Sequence, residues 1–328
     1  MYGIPGFELD GQEPVAFTPL TDDDAIAIAA RHYDLIVSQA ERLDTERDDT
    51  FRIDAAGGRF VLKIAHPADT AEYLDLETRV VEYASRADAA LPLPRILPST
   101  GGDLAPALPD HDGRRVRLLS WLPGTPLHET TPTEEQSGEL GRTLGRLTQA
   151  LRGFDHPAAH RPFAWDLLQL PKLARVNAEV GTHLTTEVFE RFDRAVAPHL
   201  AELPRQVIHN DFNTGNVLVD PAGARYVAGV IDFGDVIHTA RICELAIALS
   251  YQIFPIGRSW DELDSFIEAY RMVVPLEQVE LDLLPDLVAA RFVLRTIIYR
   301  WMERGEPDEL DFGTQANLAA LDTLLREH

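Results

Sequence analysis

The chain has 328 residues, 45% of them apolar, and one cysteine, Cys243, so it can bury a sizeable core in two lobes but can form neither an internal disulfide nor a cysteine-clustered metal site. Its net charge of −23 disfavours nucleic acid and anionic membranes as partners and admits a cationic or zwitterionic small molecule. No apolar run is long enough to span a bilayer, and the N-terminus has neither a basic nor an apolar leader segment, so the expected location is cytoplasmic.

Residues 1–20 read as an irregular lead-in. Thr21 then caps a helix whose first turn carries Asp22, Asp23 and Asp24, where the helix dipole favours negative charge. Three strand-like segments follow, near 37–43, 50–54 and 59–64, the last two joined by Ala55-Ala56-Gly57-Gly58. The third ends in Phe60-Val61-Leu62-Lys63-Ile64. Of 30 basic residues only Lys63 and Lys172 are lysine. A compact ammonium suits a phosphate where an arginine fork needs more room. The turn over the phosphates is expected at 45–51, ending near Thr50, and it lacks a glycine-rich signature. A helix over 70–87 brings Tyr73, Leu76 and Val80 to one face and places Glu77 to pair with Lys63. Leu91-Pro92-Leu93-Pro94 ends it. A strand over 116–121 then reaches Ser120 and Trp121, the expected hinge that would hold a nucleotide base, before Pro123-Gly124. The expected division is a nucleotide-binding lobe over 1–122 and a catalytic and acceptor-binding lobe over 123–328.

The second lobe opens on a capping box at Thr133–Gln136, and Leu140, Leu144, Leu147 and Leu151 follow at helical spacing. A helix around 188–196 precedes the chemistry. Val207-Ile208 runs into His209-Asn210-Asp211, and Asn216 follows five residues after Asp211. A strand, a turn at Pro221-Ala222-Gly223 and a second strand then deliver Asp232-Phe233-Gly234. Phosphoryl transfer needs a carboxylate beside the acceptor hydroxyl and oxygen ligands for Mg²⁺; protein kinases take them from H-R-D-x-x-x-x-N and D-F-G at this spacing. A nearly all-apolar helix from Ile242 carries Glu244, which needs a partner in the catalytic loop or at Arg241. Helices over 259–272, over 279–302 with a break near Pro285, and over 314–327 close the chain.

The pattern resembles the aminoglycoside phosphotransferase and choline kinase superfamily, closest to the hydroxylysine kinase-like group. The resemblance is carried by Glu46-Arg47-Asp48, Phe60–Ile64, Leu122-Pro123-Gly124, Gly153-Phe154-Asp155-His156-Pro157 with Trp165-Asp166-Leu167, Val230–Asp235, and Cys243-Glu244-Leu245-Ala246. It implies an α+β, protein-kinase-like fold: a small lobe of antiparallel sheet plus helix and a larger, mostly helical lobe. It implies Asp211 as the residue that orients or deprotonates the acceptor hydroxyl, Asn216 and Asp232 as Mg²⁺ ligands, Lys63 on the phosphates of ATP or GTP, and His209 bracing the loop. Two positions depart from the family: Asn210 stands where glycine is usual, and Thr50 where asparagine is frequent. Asp235, Trp165, Arg295, Tyr299 and Trp301 are expected to wall the acceptor site, an arginine suiting a carboxylate and aromatic faces suiting an ammonium. The expected acceptor is a small amine or amino acid like hydroxylysine. The alternatives are an aminoglycoside, choline, ethanolamine or homoserine as acceptor, or a nucleotide-binding pseudokinase. A protein kinase is disfavoured by the missing A-P-E segment.

Overall fold

The computed structural model describes residues 4, 5, 7, 17–45, 47–303 and 312–328. Glu46 and most of the lead-in lie outside the described residues. The described residues fall into two compact units, one within residues 11–123 and one of residues 124–328 together with the described residues before position 10.

The first unit is an antiparallel sheet flanked by helices. Its strands are β1 (Val37–Leu43), β2 (Asp49–Ala55), β3 (Gly58–Ile64), β4 (Ile96–Leu97), β5 (Ala107–Leu108) and β6 (Arg114–Ser120). The order is β1-β2-β3-β6-β4, with β5 pairing on β6. Helix α1 (Asp22–Tyr33) starts at the Thr21 capping box and packs Ala25, Ile28 and Ala29 against a core of Phe51, Ile53, Leu62, Ile64, Val116 and Leu118. Helix α2 (Ala71–Ala87) buries Leu74, Leu76, Val80 and Val81. Phe51, Ile53, Leu62 and Ile64 are fully inaccessible, and burial of each such side chain stabilises the fold by about 1.5–3 kcal/mol.

The second unit is mostly helical: α3 (Glu134–Ala150), α4 (Ala174–Val180), α5 (His183–Arg191), α6 (Ile242–Ile253), α7 (Asp264–Arg271), α8 (Gln278–Asp282), α9 (Leu284–Met302) and α10 (Phe312–Glu327). Pro285 lies in the first turn of α9, which is why the pattern read as one interrupted helix divides into α8 and α9. Five short strands stand among the helices. β7 (Thr125–Pro126), β9 (Val217–Val219) and β10 (Val227–Val230) form one sheet; β8 (Arg205–Ile208) and β11 (Ile237–Ala240) form another. β7 and β11 were not foreseen, because two- and four-residue strands carry too little alternation to register. Gly124, at φ 140°, leads into β7; a Cβ there would stand 3.1 Å from the Leu218 Cβ and 3.2 Å from the Val219 oxygen. This accounts for glycine after Pro123.

These small sheets position the site. β8 ends at Ile208, directly opposite Ile237 of β11, and β9 begins at Val217, directly opposite Val230 of β10. The loop 209–216 and the segment 231–236 therefore leave neighbouring strand ends, and the Ile231 amide donates to the Asn216 carbonyl at 2.9 Å.

Candidate active site

Each unit presents its own group of expected site residues. In the first unit, Lys63 lies in the middle of the sheet, opposite Thr50 on β2 and opposite Arg117 on β6. Thr50 is 3% exposed and its hydroxyl accepts from Thr45 at 3.2 Å, so it braces the turn from beneath. Glu77, the carboxylate expected to answer Lys63, is held by Arg117, whose other guanidinium nitrogen reaches Asp48 at 3.4 Å. Arg117 was missed because Val116-Arg117-Leu118 reads as an apolar strand; the signal was a charge in a segment buried on both faces. Asp69, paired with Arg47, joins this cluster, and its carboxyl is pushed up to about 6, first by burial and then by the neighbouring acids Asp48 and Glu77 against the pull of Arg47. Ser120 closes on Arg95, its hydroxyl accepting from the Arg95 backbone amide at 2.9 Å, and Trp121 carries the Arg59 guanidinium at 5.4 Å from its ring centre.

In the second unit, His209 is fully buried and joins the two halves of the motif. Its Nδ1 accepts from the Asp211 amide at 3.2 Å, so the proton sits on Nε2, which donates to the Ile231 carbonyl at 3.2 Å. Burial lowers its pKa and keeps the ring neutral, and the ring packs edge-on against Phe233 at 4.6 Å. Asn210 has φ 66° and no exposed surface. That left-handed geometry favours glycine, and asparagine is among the side chains that best tolerate it. The departure at 210 thus leaves the loop path intact.

Glu244 secures the same loop from below. One carboxylate oxygen accepts the His209 amide at 2.6 Å and the Asn210 amide at 3.3 Å, the catalytic-loop partner that its burial demanded. Arg241 instead pairs with Glu280 at 2.6 Å. Burial pushes the Glu244 carboxyl up to about 7, against the two amides that favour its charge. A carboxyl whose folded pKa is raised stabilises the fold fully below its unfolded pKa, and that contribution is lost as pH rises through the folded value. Glu244→Gln is therefore expected to flatten the fall in stability between about pH 4.5 and 7, by an amount on the order of 3 kcal/mol. Urea unfolding of both proteins across that range checks this; parallel curves would refute it.

Asp211 is gripped on both oxygens. Oδ2 accepts from Asn213 at 2.8 Å and from the Asn216 amide nitrogen at 2.7 Å; Oδ1 accepts from Arg291 at 3.2 Å. The Asn216 amide spends its protons on Asp211, which turns its own carbonyl oxygen the other way. Asp232 follows β10 at φ 61°, with Oδ1 accepting from the Gly234 amide at 3.3 Å. One amide oxygen and one carboxylate fit a Mg²⁺ ion that takes its remaining ligands from water and phosphate. Among the described residues no cluster of three or more His, Cys, Asp or Glu offers a fuller metal cage.

Arg291 is another residue that sequence reasoning missed. It is 2% exposed, lies over the ring of Trp165 at 5.0 Å and of Tyr251 at 5.6 Å, and donates to the Tyr251 hydroxyl at 3.2 Å. Burial works against its charge, and Tyr251 and Asp211 more than restore it. Asp235 lies in the same field: burial first, then Asp211, push its carboxyl well up, while Arg291 pulls it down. Arg161, also missed, fixes the backbone on either side of Asp235, donating to the carbonyls of Gly234 at 3.1 Å and Val236 at 2.7 Å. Arg295, one turn after Arg291 on α9, lies over Tyr251 at 4.5 Å and Phe254 at 5.6 Å. Tyr299 packs on Trp165 at 5.6 Å. Trp301 leaves α9 in another direction. Two residues beyond Tyr299 on a helix, it projects about 160° away, and it is 7% exposed as a core side chain.

An antiparallel sheet with its strand lysine and helix glutamate, followed by a mostly helical unit bearing the His-x-Asp loop and the Asp-Phe-Gly turn, defines a protein-kinase-like fold. The model of the phosphotransferase enzyme family matches residues 40–279, and the chain belongs to that family. It is 27% identical over 301 residues to hydroxylysine kinase of Mus musculus, with 83% of this chain and 80% of that protein covered. It is also 27% identical over 297 residues to homoserine kinase of Phenylobacterium zucineum (strain HLK1), with 87% of each covered. Among solved structures it is similar to amicoumacin kinase hAmiN in complex with AMP-PNP, Ca²⁺ and Ami, at TM-score 0.72 and 19% identity over 94% of both chains. It is likewise similar to a microcompartment-associated aminopropanol kinase, at TM-score 0.68 and 21% identity over 93% of this chain and 94% of that one. The chain is thus a small-molecule phosphotransferase acting on a hydroxyl group. Among the described residues no helix is long and apolar enough to cross a membrane.

Proposed function

We propose that the protein transfers the γ-phosphoryl group of ATP or GTP to a hydroxyl of a small amine or amino acid, with 5-hydroxylysine as the leading acceptor. The observation that carries the reading is Asp211, a carboxylate held by three side-chain donors in the loop between β8 and β9. Such a reaction is mostly positioning and charge neutralisation. Lys63 would hold the α- and β-phosphates of the donor, with Arg117 and Glu77 fixing the strand and helix around it. Asn216 and Asp232 would hold Mg²⁺, which when bound supplies positive charge to the phosphate oxygens. Asp211 orients the acceptor hydroxyl and takes its proton as the oxygen attacks phosphorus. Asp235 and the α9 face with Arg295 and Tyr299, together with Trp165, line the acceptor side.

An NDP-release assay tests this, with ATP and GTP, Mg²⁺, and a panel of 5-hydroxylysine, homoserine, ethanolamine, choline and several aminoglycosides. Turnover of a hydroxy amino acid, abolished in Asp211→Ala, is expected. Turnover confined to an aminoglycoside or to choline would replace the acceptor class, and nucleotide binding without turnover of any acceptor would count against the reaction itself.

A further inference from the structure

A cavity of about 280 Å³ is lined by Phe254, Arg295, Tyr299, Glu303, Thr314 and Asn317, among others. Its lining carries both signs of charge. Arg295 presents a guanidinium that donates to the Phe254 carbonyl at 3.2 Å, and burial disfavours its charge, so an incoming anion would be welcome there. Asn317 presents the opposite need. Its amide nitrogen donates to the Phe292 carbonyl at 2.9 Å and to Thr296 at 2.8 Å, which fixes the orientation of the amide. Its Oδ1 is buried and finds no donor among the described residues, although the residue is only 3% exposed. A buried acceptor left unmatched is costly and calls for an N–H donor. Glu303 adds an exposed carboxylate, and Tyr299 an aromatic face, which attracts cations.

The cavity is tied to Asp211 by an alternating stack: Trp165, Arg291, Tyr251, Arg295, Phe254. Arg291 contacts Asp211, and Arg295 lines the cavity. The two arginines are one turn apart on α9, about 6 Å along the axis.

We infer that this cavity is a head-group subsite for the α-amino and α-carboxylate groups of an amino-acid acceptor, with Arg295 taking the carboxylate and Asn317 and Glu303 taking the ammonium. The inference rests on the proposed reaction and narrows its acceptor to a zwitterionic amino acid rather than an amino alcohol.

Titration calorimetry reads the subsite without turnover, and NDP release reads the reaction. The probes are 5-hydroxylysine and its decarboxylated amine, each against the wild type, Arg295→Gln and Glu303→Gln, with melting temperatures confirming that the variants fold. Arg295→Gln is expected to weaken 5-hydroxylysine binding more than tenfold and to leave the decarboxylated amine nearly unchanged. Glu303→Gln is expected to weaken both ligands modestly, because both carry ammonium. In turnover, Arg295→Gln should raise KM and leave kcat within a few fold. Equal weakening of both probes by Arg295→Gln, or wild-type protein that binds the decarboxylated amine as tightly as the amino acid, would overturn the subsite while leaving the kinase reading standing. Selective amino-acid binding without phosphorylation would uphold the subsite and sink the proposed reaction for that acceptor.

Discussion

Asp211→Ala is expected to lower kcat by about 10²- to 10⁴-fold, the range that a positioned proton acceptor contributes. The nucleotide KM should change little, because the residues assigned to the phosphates lie on other elements. A second effect follows from the hydrogen bonds. Asn216 donates to the Asp211 carboxylate at 2.7 Å and to the Asp211 backbone carbonyl at 3.1 Å; Asp211→Ala keeps only the second, so the Asn216 carbonyl oxygen is held less firmly in its direction. The Mg²⁺ concentration needed for half-maximal activity should therefore rise in the variant. Asp211→Asn should fall in the same range despite its shape, because an amide must present its NH₂ either to Asn213 and Asn216 or to Arg291, donor against donor. Steady-state kinetics with a magnesium titration checks both effects. A kcat within tenfold of wild type would remove Asp211 from the chemistry.

Arg291→Leu is expected to destabilise the second unit by about 3–5 kcal/mol, the size typical of removing one partner from a buried ion pair. The leucine fills the space between Trp165 and Tyr251 but removes the arginine that pairs with Asp211 and offsets the repulsion between Asp211 and Asp235. Adding Asp235→Leu to that background removes one of the two opposed carboxyls and should return a substantial part of the loss. Urea unfolding of the single and double variants measures it. Additive losses in the double variant would show that Asp235 and Arg291 are not coupled.

The catalytic loop was legible because its chemistry needs particular residues at fixed separations. Asp211, Asn216 and Asp232 are named by spacing, and the strands around them by short apolar runs. Glu244 was legible for a different reason: a carboxylate in an apolar run must find a partner, in the catalytic loop or at Arg241. The bracing role of His209 came from the family resemblance. Arg117, Arg161 and Arg291 were not legible. Each works through partners 40 or more residues away in sequence, at Glu77, Gly234 and Asp211, and its sequence neighbours do not name them. For Trp301 the same blindness to facing applies. An aromatic near the end of a helix is visible in sequence, but the side it turns to is decided by the neighbours of α9.

Tyr251 hydrogen-bonds Arg291 through its hydroxyl and carries Arg295 on its ring. One residue thus supports both the arginine that grips Asp211 and the arginine that lines the cavity, so a change there alters turnover and acceptor preference together. Selection for a new acceptor cannot begin at Tyr251 without loss of rate. Glu303, Thr314 and Asn317 line the same cavity outside the stack, and there a lineage can drift toward a different head group while its catalytic carboxylate stays in place.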